Sequence, residues 1–82
     1  MPKNDVKEIA QKARQFLIEL MKSQEQDINR LSLEEIEYDE NEGIWLITLS
    51  YAEDLLSPAR KYKVIRIKDN TSEIISVKIR DF

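Results

Sequence analysis

The sequence contains no cysteine and no histidine, and it has one glycine and two prolines among 82 residues. Without cysteine the chain can form neither a disulfide framework nor a thiolate metal site. Without histidine it lacks the usual general base of serine and cysteine nucleophiles. A single glycine cannot build a phosphate-binding loop. We therefore expect a protein that is not an enzyme and that holds no cofactor and no metal.

The charge balance is mildly acidic, with 13 Lys and Arg against 16 Asp and Glu, a net charge of −3. This balance argues against nucleic acid as the main partner. The first residues, MPKNDVKEIAQ, have no apolar run typical of a signal peptide, and no stretch is long enough for a membrane helix. The length predicts a single domain over residues 1–82. We expect a cytoplasmic protein without a membrane partner, and the lack of cysteine fits a reducing compartment.

Residues 5–23 have the apolar spacing of one amphipathic helix. The apolar positions are Val6, Ile9, Ala10, Ala13, Phe16, Leu17, Leu20 and Met21. Asp5 followed by Glu8 has the spacing of a capping box, with Asp in place of Ser or Thr. No proline or glycine interrupts the pattern, and a polar run over 23–27 ends the helix.

The remainder of the chain predicts four strands, at 33–39, 44–51, 61–68 and 73–80. Residues 40–43, which include Gly43, form a hairpin turn, and residues 70–72 form a second one. The link over 52–59 is longer and contains Pro58. Short connections between consecutive strands imply an antiparallel meander. The predicted fold class is α+β, with one N-terminal helix packed on a four-stranded antiparallel β-meander in the order α-β-β-β-β.

The turn lengths also predict the strand register, because a slip of one residue would scatter the apolar side chains over both faces. The predicted pairs are Tyr38 with Trp45, Ile36 with Ile47, Ile67 with Ile75, and Ile65 with Val77. The predicted helix-covered face comprises Ile36, Tyr38, Trp45, Ile47, Leu49, Tyr51, Ile65, Ile67, Ile75, Val77 and Ile79.

The sheet face away from the helix, called the outer face below, is the leading candidate for function. It is predicted to carry an apolar band of Ile44, Leu46, Tyr62, Val64 and Ile74. A solvated sheet face is normally polar, so such a band predicts an interface. The alternative is that these residues are simply good strand formers, since single exposed apolar residues are ordinary.

Charge is segregated along the chain. Residues 31–59 contain eight acids and no base, whereas residues 60–82 contain seven bases and three acids. The predicted interface therefore has Glu35 and Glu37 at one edge and Arg66, Lys78 and Arg80 at the other. Two such faces about a two-fold axis would set acidic edges over basic ones, which favours a homodimer. The alternative is that edge charges only prevent aggregation.

Two further sites compete with the outer face. Leu55 and Leu56 in the link either insert into a partner or fold back over the core. Strands three and four place Tyr62 among basic residues, a pattern that single-stranded nucleic acid binders also use. The acids Glu35, Glu37 and Asp39 share one face, but their spacing is not that of a calcium loop, and a flat strand makes no cage for a cation.

Residues 62–77, YKVIRIKDNTSEIISV, resemble the closing hairpin of PepSY-type domains, which have the pattern Y-x-V-x-I-D-x-x-T-G-E-V-L-S-V. Lys68-Asp69 stands where that pattern has one Asp, and Ser72 replaces its turn glycine. The order of one helix and then a meander is also cystatin-like, and residues 34–51 are similar to small bacterial proteins of this layout. The resemblance implies a small α+β fold and a link to peptidase inhibition.

The sequence thus predicts a non-enzymatic protein-interaction module, in the manner of an inhibitor or an immunity-type partner, that self-associates or binds a protein through the outer face. The first alternative is a PepSY- or cystatin-like peptidase inhibitor that acts through the link at 52–59. The second is weak binding of single-stranded nucleic acid by strands three and four.

Overall fold

A computed structural model describes residues 4–56 and 59–80 of the chain. The elements are α1 (Val6–Ser23), β1 (Asn29–Asp39), β2 (Ile44–Ala52), β3 (Lys61–Lys68) and β4 (Ile74–Ile79). The four strands form one sheet in the order β1-β2-β3-β4, and every neighbouring pair is antiparallel. The predicted fold class is confirmed. The prediction of a single domain over 1–82 includes residues outside the described ranges and stays a prediction.

The helix begins at a side-chain cap and packs one narrow stripe against the sheet. Asp5 is the N-cap, and its carboxylate accepts a hydrogen bond of 3.0 Å from the backbone N–H of Lys7. This bond satisfies one of the amide groups that a helix start leaves without a partner. The buried stripe consists of Ile9, Ala13, Leu17 and Met21, one residue per turn. The helix therefore covers only one face of the sheet.

The core lies between α1 and the two central strands. Its sheet residues are Trp45, Ile47, Leu49, Tyr51, Ile65 and Ile67, all of them buried. Trp45 is 6% exposed, as the sequence predicts for a core residue, and its ring lies 4.9 Å from that of Tyr38. Tilted aromatic pairs at this distance add to the stabilisation from apolar burial.

The predicted register is confirmed for both pairs of the β1–β2 hairpin and for one of the two pairs predicted between β3 and β4. Tyr38 pairs with Trp45, Ile36 with Ile47, and Ile65 with Val77. The hairpin turn before β2 ends at Gly43, whose φ of +65° is a left-handed conformation that suits glycine. Its N–H donates to the carbonyl of Asp39, at 2.8 Å, and closes the turn.

The predicted pairing of Ile67 with Ile75 is wrong, because β4 contains an irregularity next to this position. Ile67 pairs with Ile74, whereas Arg66 pairs with Ser76, so one extra residue of β4 lies between the two pairs. An extra residue of this kind interrupts the alternation of side chains. Ile74 therefore packs against the core instead of lying on the outer face, and Ile75 is 42% exposed.

Ile79 was also predicted to lie in the core and is 73% exposed. It belongs to the edge strand β4, whereas α1 packs on the central strands β2 and β3. The helix does not cover that end of the edge strand. The strand β1 is longer than predicted, since it begins at Asn29 rather than at residue 33, and it has two register shifts of its own.

Candidate protein interface

The outer face is traced from the strand register. Two rows of paired residues cross its middle, Glu37–Leu46–Arg66–Ser76 and Glu35–Thr48–Val64–Lys78. A further row at the end near residues 52–60 contains Ser50 and Tyr62. The first row runs from Glu37 through Arg66 to Ser76, and the second runs from Glu35 to Lys78, so the acids of these rows lie on β1 and the bases on β3 and β4. The charge segregation in the sequence therefore becomes a gradient across one sheet face.

The apolar band is smaller than the sequence predicts. Leu46, Tyr62 and Val64 lie on the outer face and are half-buried. Ile44 is 8% exposed and offers little surface. Ile74 packs on the opposite face because of the extra residue in β4. The predicted five-residue patch is thus reduced to three residues on the two central strands.

Arg80 reaches back across the sheet and covers the middle of the outer face. Its Nη1 donates to Thr48 Oγ1 at 3.0 Å and lies 3.3 Å from Glu35 Oε1. Thr48 is consequently 2% exposed, although no helix lies above it. Sequence reasoning placed Arg80 and Glu35 at opposite edges of the interface. The structure joins them within one chain, through a side chain long enough to span the intervening strands.

A second polar network lies at the end of the outer face near the link. Arg60 Nε donates to Ser50 Oγ at 3.0 Å, and its Nη2 donates to the carbonyls of Ser50 and Arg30. Ser50 Oγ in turn donates to Glu34 Oε1 at 2.7 Å. Glu34 joins this network because β1 has a register shift between Leu33 and Glu35. Neither Arg60 nor Glu34 was among the predicted site residues, since strict alternation places Glu34 on the other face.

Some of the charged side chains that were predicted to pair between two copies form ion pairs within one chain instead. Arg66 Nη2 lies 3.4 Å from Glu42 Oε2, and Arg80 pairs with Glu35. By contrast, Glu37 on β1 and Lys78 on β4 form no ion pair with any residue of 4–56 or 59–80. Lys78 and Glu37, whose carboxyl group shares a hydrogen bond with Glu35, are thus the predicted interface charges without an ion pair in the described part of the chain.

Two carboxyl groups stand side by side on β1. A hydrogen bond to Glu35 raises the pKa of Glu37, and repulsion from the Glu35 charge adds to the effect. The same hydrogen bond, followed by that from Arg80, lowers the pKa of Glu35. The directions are opposite because the shared hydrogen bond keeps the proton on Glu37 and stabilises the charged form of Glu35, which the Arg80 guanidinium also stabilises. Asp39 takes no part, since its Oδ1 accepts from the backbone N–H groups of Asn41 and Glu42 in the turn.

The centre of the outer face is a shallow depression of about 300 Å³. Its lining is Glu35, Glu37, Leu46, Thr48, Val64 and Arg80. A second depression, of about 220 Å³, adjoins it and adds Glu34 and Tyr62. The apolar side chains of Leu46 and Val64 thus form part of the floor of the central depression, and charged side chains surround it. The surface is too open to enclose a small substrate but can receive side chains of another protein.

The link presents its two leucines to solvent. Leu55 is 66% exposed and Leu56 is 91% exposed, so neither folds back over the core. Arg30 Nη2 donates to the carbonyl of Leu55 at 3.4 Å, and the N–H of Leu56 donates to Asp54 Oδ1 at 2.9 Å. Pro58, the proline of the link, lies outside the described residues. Of the two alternatives for this segment, the structure supports an exposed apolar pair.

Within residues 4–56 and 59–80, no group of three or more acidic side chains is placed to hold a metal ion. No helix in that part of the chain is long and apolar enough to cross a bilayer. Comparison with known proteins gave no matching family model, no matching curated protein and no matching solved structure. The PepSY and cystatin resemblance accordingly stays a prediction.

Proposed function

We propose that the protein is a small, non-enzymatic interaction module that binds a protein partner through the outer face. The observation that supports this most directly is the depression between β1 and β4, where Leu46 and Val64 lie within a rim of Glu35, Glu37 and Arg80. Apolar residues at the centre of a patch and charges around it are the usual anatomy of a protein interface.

The chemistry of this surface favours a protein partner over a nucleic acid. Arg66 and Arg80 are engaged with Glu42 and Glu35, so the basic side of the face is partly neutralised. Tyr62 lines the adjoining, smaller depression and supplies the aromatic contact that binding surfaces often use as an anchor. An inhibitor or an immunity-type partner of an enzyme in the bacterial cytoplasm is the role that we propose for such a module.

Leu46→Glu tests the outer face, because a carboxylate in the depression adds charge beside Glu35 and Glu37 and prevents apolar contact. Ile79→Glu is the matched control: the same type of substitution at an exposed position of β4 outside the depression. A tagged chain is purified with its partner from the source cells. We expect Leu46→Glu to lose the partner and Ile79→Glu to retain it, with both variants folded by circular dichroism. Full retention of the partner by Leu46→Glu would exclude the outer face.

A second candidate function rests on the exposure of Leu55 and Leu56 in the link. In this case the chain is a peptidase inhibitor of the PepSY or cystatin type, and the leucine pair enters the peptidase. An exposed apolar pair in a loop has little structural reason to be there, and binding loops often carry such residues.

Leu55→Asp combined with Leu56→Asp distinguishes the two surfaces. Because both side chains are exposed, we expect this double variant to fold normally. Inhibition of a co-encoded peptidase that is lost in the double variant and kept in Leu46→Glu would favour the link. The opposite pattern would favour the outer face.

A further inference from the structure

We infer that the partner on the outer face is a second copy of this chain, stacked face to face about a two-fold axis parallel to the strands. The inference rests on the proposed function, and it adds the identity of the occupant, the direction of the axis and the residues in contact. Two opposite charges without an ion pair in the described residues, the geometry of the rows and the available area support a second copy.

A two-fold axis that lies midway between two stacked sheets, parallel to both, can run in two directions: perpendicular to the strands or parallel to them. An axis perpendicular to the strands places β1 over β1 of the second copy, which brings the Glu35 and Glu37 carboxylates of both copies together. An axis parallel to the strands places β1 over β4 and β2 over β3. Like charges oppose the first arrangement, and opposite charges favour the second. The position of Glu37 on β1 and of Lys78 on β4, neither with an ion pair among the described residues, therefore favours the parallel axis.

The parallel axis keeps each row at the same height along the strands. Lys78 then faces Glu35 of the second copy in its own row and is one row from Glu37. Sheets that pack face to face are about 10 Å apart, which a lysine side chain and a glutamate side chain span together. Since Arg80 already pairs with Glu35, the expected acceptor is Glu37, which has no ion pair among the described residues. Because the axis is two-fold, the contact between Lys78 of one copy and Glu37 of the other forms twice.

The central strands supply the apolar part of the contact. With β2 over β3, Leu46 lies above the aliphatic stem of Arg66, and Val64 lies above Thr48. Leu46, Val64 and Thr48 line the depression on the outer face. The stacked faces exclude water from Leu46 and Val64, which are only half-buried in the single chain.

The area predicts a weak dimer. Four strands about 4.8 Å apart and about eight residues long offer roughly 500 Å² per copy, or about 1,000 Å² in total. Interfaces of this size lie at the lower limit of specific association. We therefore expect a dissociation constant in the micromolar range, about 10–100 µM, which is within the reach of analytical ultracentrifugation.

Charge reversal tests the axis. Glu37→Lys and Lys78→Glu each replace two attractive contacts with two repulsive ones, so each is expected to weaken the dimer by about tenfold. The double variant restores the attraction with the signs exchanged and is expected to return to within about threefold of the unaltered chain. Sedimentation equilibrium over about 5–500 µM measures all four dissociation constants.

The matched control reverses charges on the exposed side of α1. Glu19→Lys, Lys12→Glu and their combination change the net charge by the same amounts as the outer-face variants, and both positions are exposed. We expect these controls to leave the dissociation constant within about twofold. An equal loss in the controls would mean that only net charge matters, which would overturn the inferred contact.

The outcomes separate this inference from the proposed function. A chain that stays monomeric at about 500 µM overturns the second copy as occupant, and the loss of a different partner in Leu46→Glu still supports the outer face. A dimer that Leu46→Glu abolishes but that the double charge reversal does not rescue overturns the parallel axis alone. A dimer unaffected by Leu46→Glu forms through another surface, which overturns both the second copy on the outer face and the parallel axis.

Discussion

At the scale of single residues, Asp69 holds together parts of the molecule that are far apart in sequence. Its Oδ1 accepts hydrogen bonds from Trp45 Nε1 and from the backbone N–H of Asn4, each at 3.0 Å. The Asn4 side chain also donates to the Asp69 carbonyl at 2.7 Å. Asp69 is 5% exposed, and these donors offset the cost of burying its carboxylate. One side chain therefore fixes the start of the helix region against β2 and the last turn.

Asp69→Ala is expected to lower the free energy of unfolding by about 3 kcal/mol, because it leaves buried donors on Trp45 and Asn4 without an acceptor. Asp69→Asn keeps an acceptor oxygen and is expected to lose about 1 kcal/mol. Urea unfolding followed by circular dichroism measures both values. A smaller loss in the alanine variant than in the asparagine variant would contradict this role.

The carboxyl pair on β1 predicts a titration with a known direction. The pKa of Glu37 lies above its ordinary value of 4.5, because its proton is held in a hydrogen bond to Glu35 and because ionisation would place a second negative charge beside Glu35. Glu35→Gln removes that charge, so we expect the pKa of Glu37 to fall. Carboxyl-carbon NMR titration measures the change, and Glu19→Gln on the helix is the control that should leave it unaltered. An unchanged pKa in Glu35→Gln would mean that Glu35 is not the cause.

At the scale of elements, β4 shows the limit of strict alternation. The extra residue beside Ile67 turns Ile74 towards the core and leaves Ile75 exposed, the reverse of the sequence prediction. Such irregularities are common at sheet edges, where one strand has a neighbour on one side only. The two adjacent isoleucines are equally apolar, so the sequence alone does not distinguish which of them is buried.

Substitution of these two isoleucines tests the pairing. Ile74→Ala is expected to lower the free energy of unfolding by about 2 kcal/mol, since Ile74 packs against the core. Ile75→Ala is expected to cost less than about 1 kcal/mol, because its side chain is largely in solvent already. Parallel urea unfolding of both variants gives the comparison. The opposite order would restore the pairing of Ile67 with Ile75.

Prediction from sequence succeeded where apolar residues recur with a regular period. It failed where a strand is mostly polar and where a long side chain joins distant residues. The helix stripe, the turn at Gly43 and the register of the first hairpin follow from local patterns. The early start of β1 was missed because Asn29 and its neighbours are mostly polar. The ion pair of Arg80 with Glu35 was missed because it joins residues 45 positions apart through a long flexible side chain.

At the scale of the whole molecule, the sheet is packed on one face and open on the other. The helix stripe buries the inner side of β2 and β3, while on the outer face the side chains of Arg80 and Arg60 hydrogen-bond to Thr48 and Ser50. Two-layer domains of this size bury a modest fraction of their surface and have a small margin of stability. Additional burial by a partner would increase that margin.

The melting temperature is therefore expected to depend on protein concentration. If the outer face pairs two copies, each tenfold increase above the dissociation constant should raise the midpoint by about 3–5 °C. Leu46→Glu should abolish this dependence and Ile79→Glu should retain it. Differential scanning calorimetry at several concentrations measures the effect. A midpoint independent of concentration in the unaltered chain would contradict self-association.

The order of strands also predicts an order of folding. Each strand pairs with its neighbour in the chain, so the hairpins can form early at a small entropic cost of loop closure, whereas Asn4 and Asp69 meet across 65 residues. We expect this last contact to form after the rate-limiting step. Asn4→Ala should then speed unfolding and leave the folding rate nearly unchanged in stopped-flow experiments. A slower folding rate would instead place docking of the helix start in the folding nucleus.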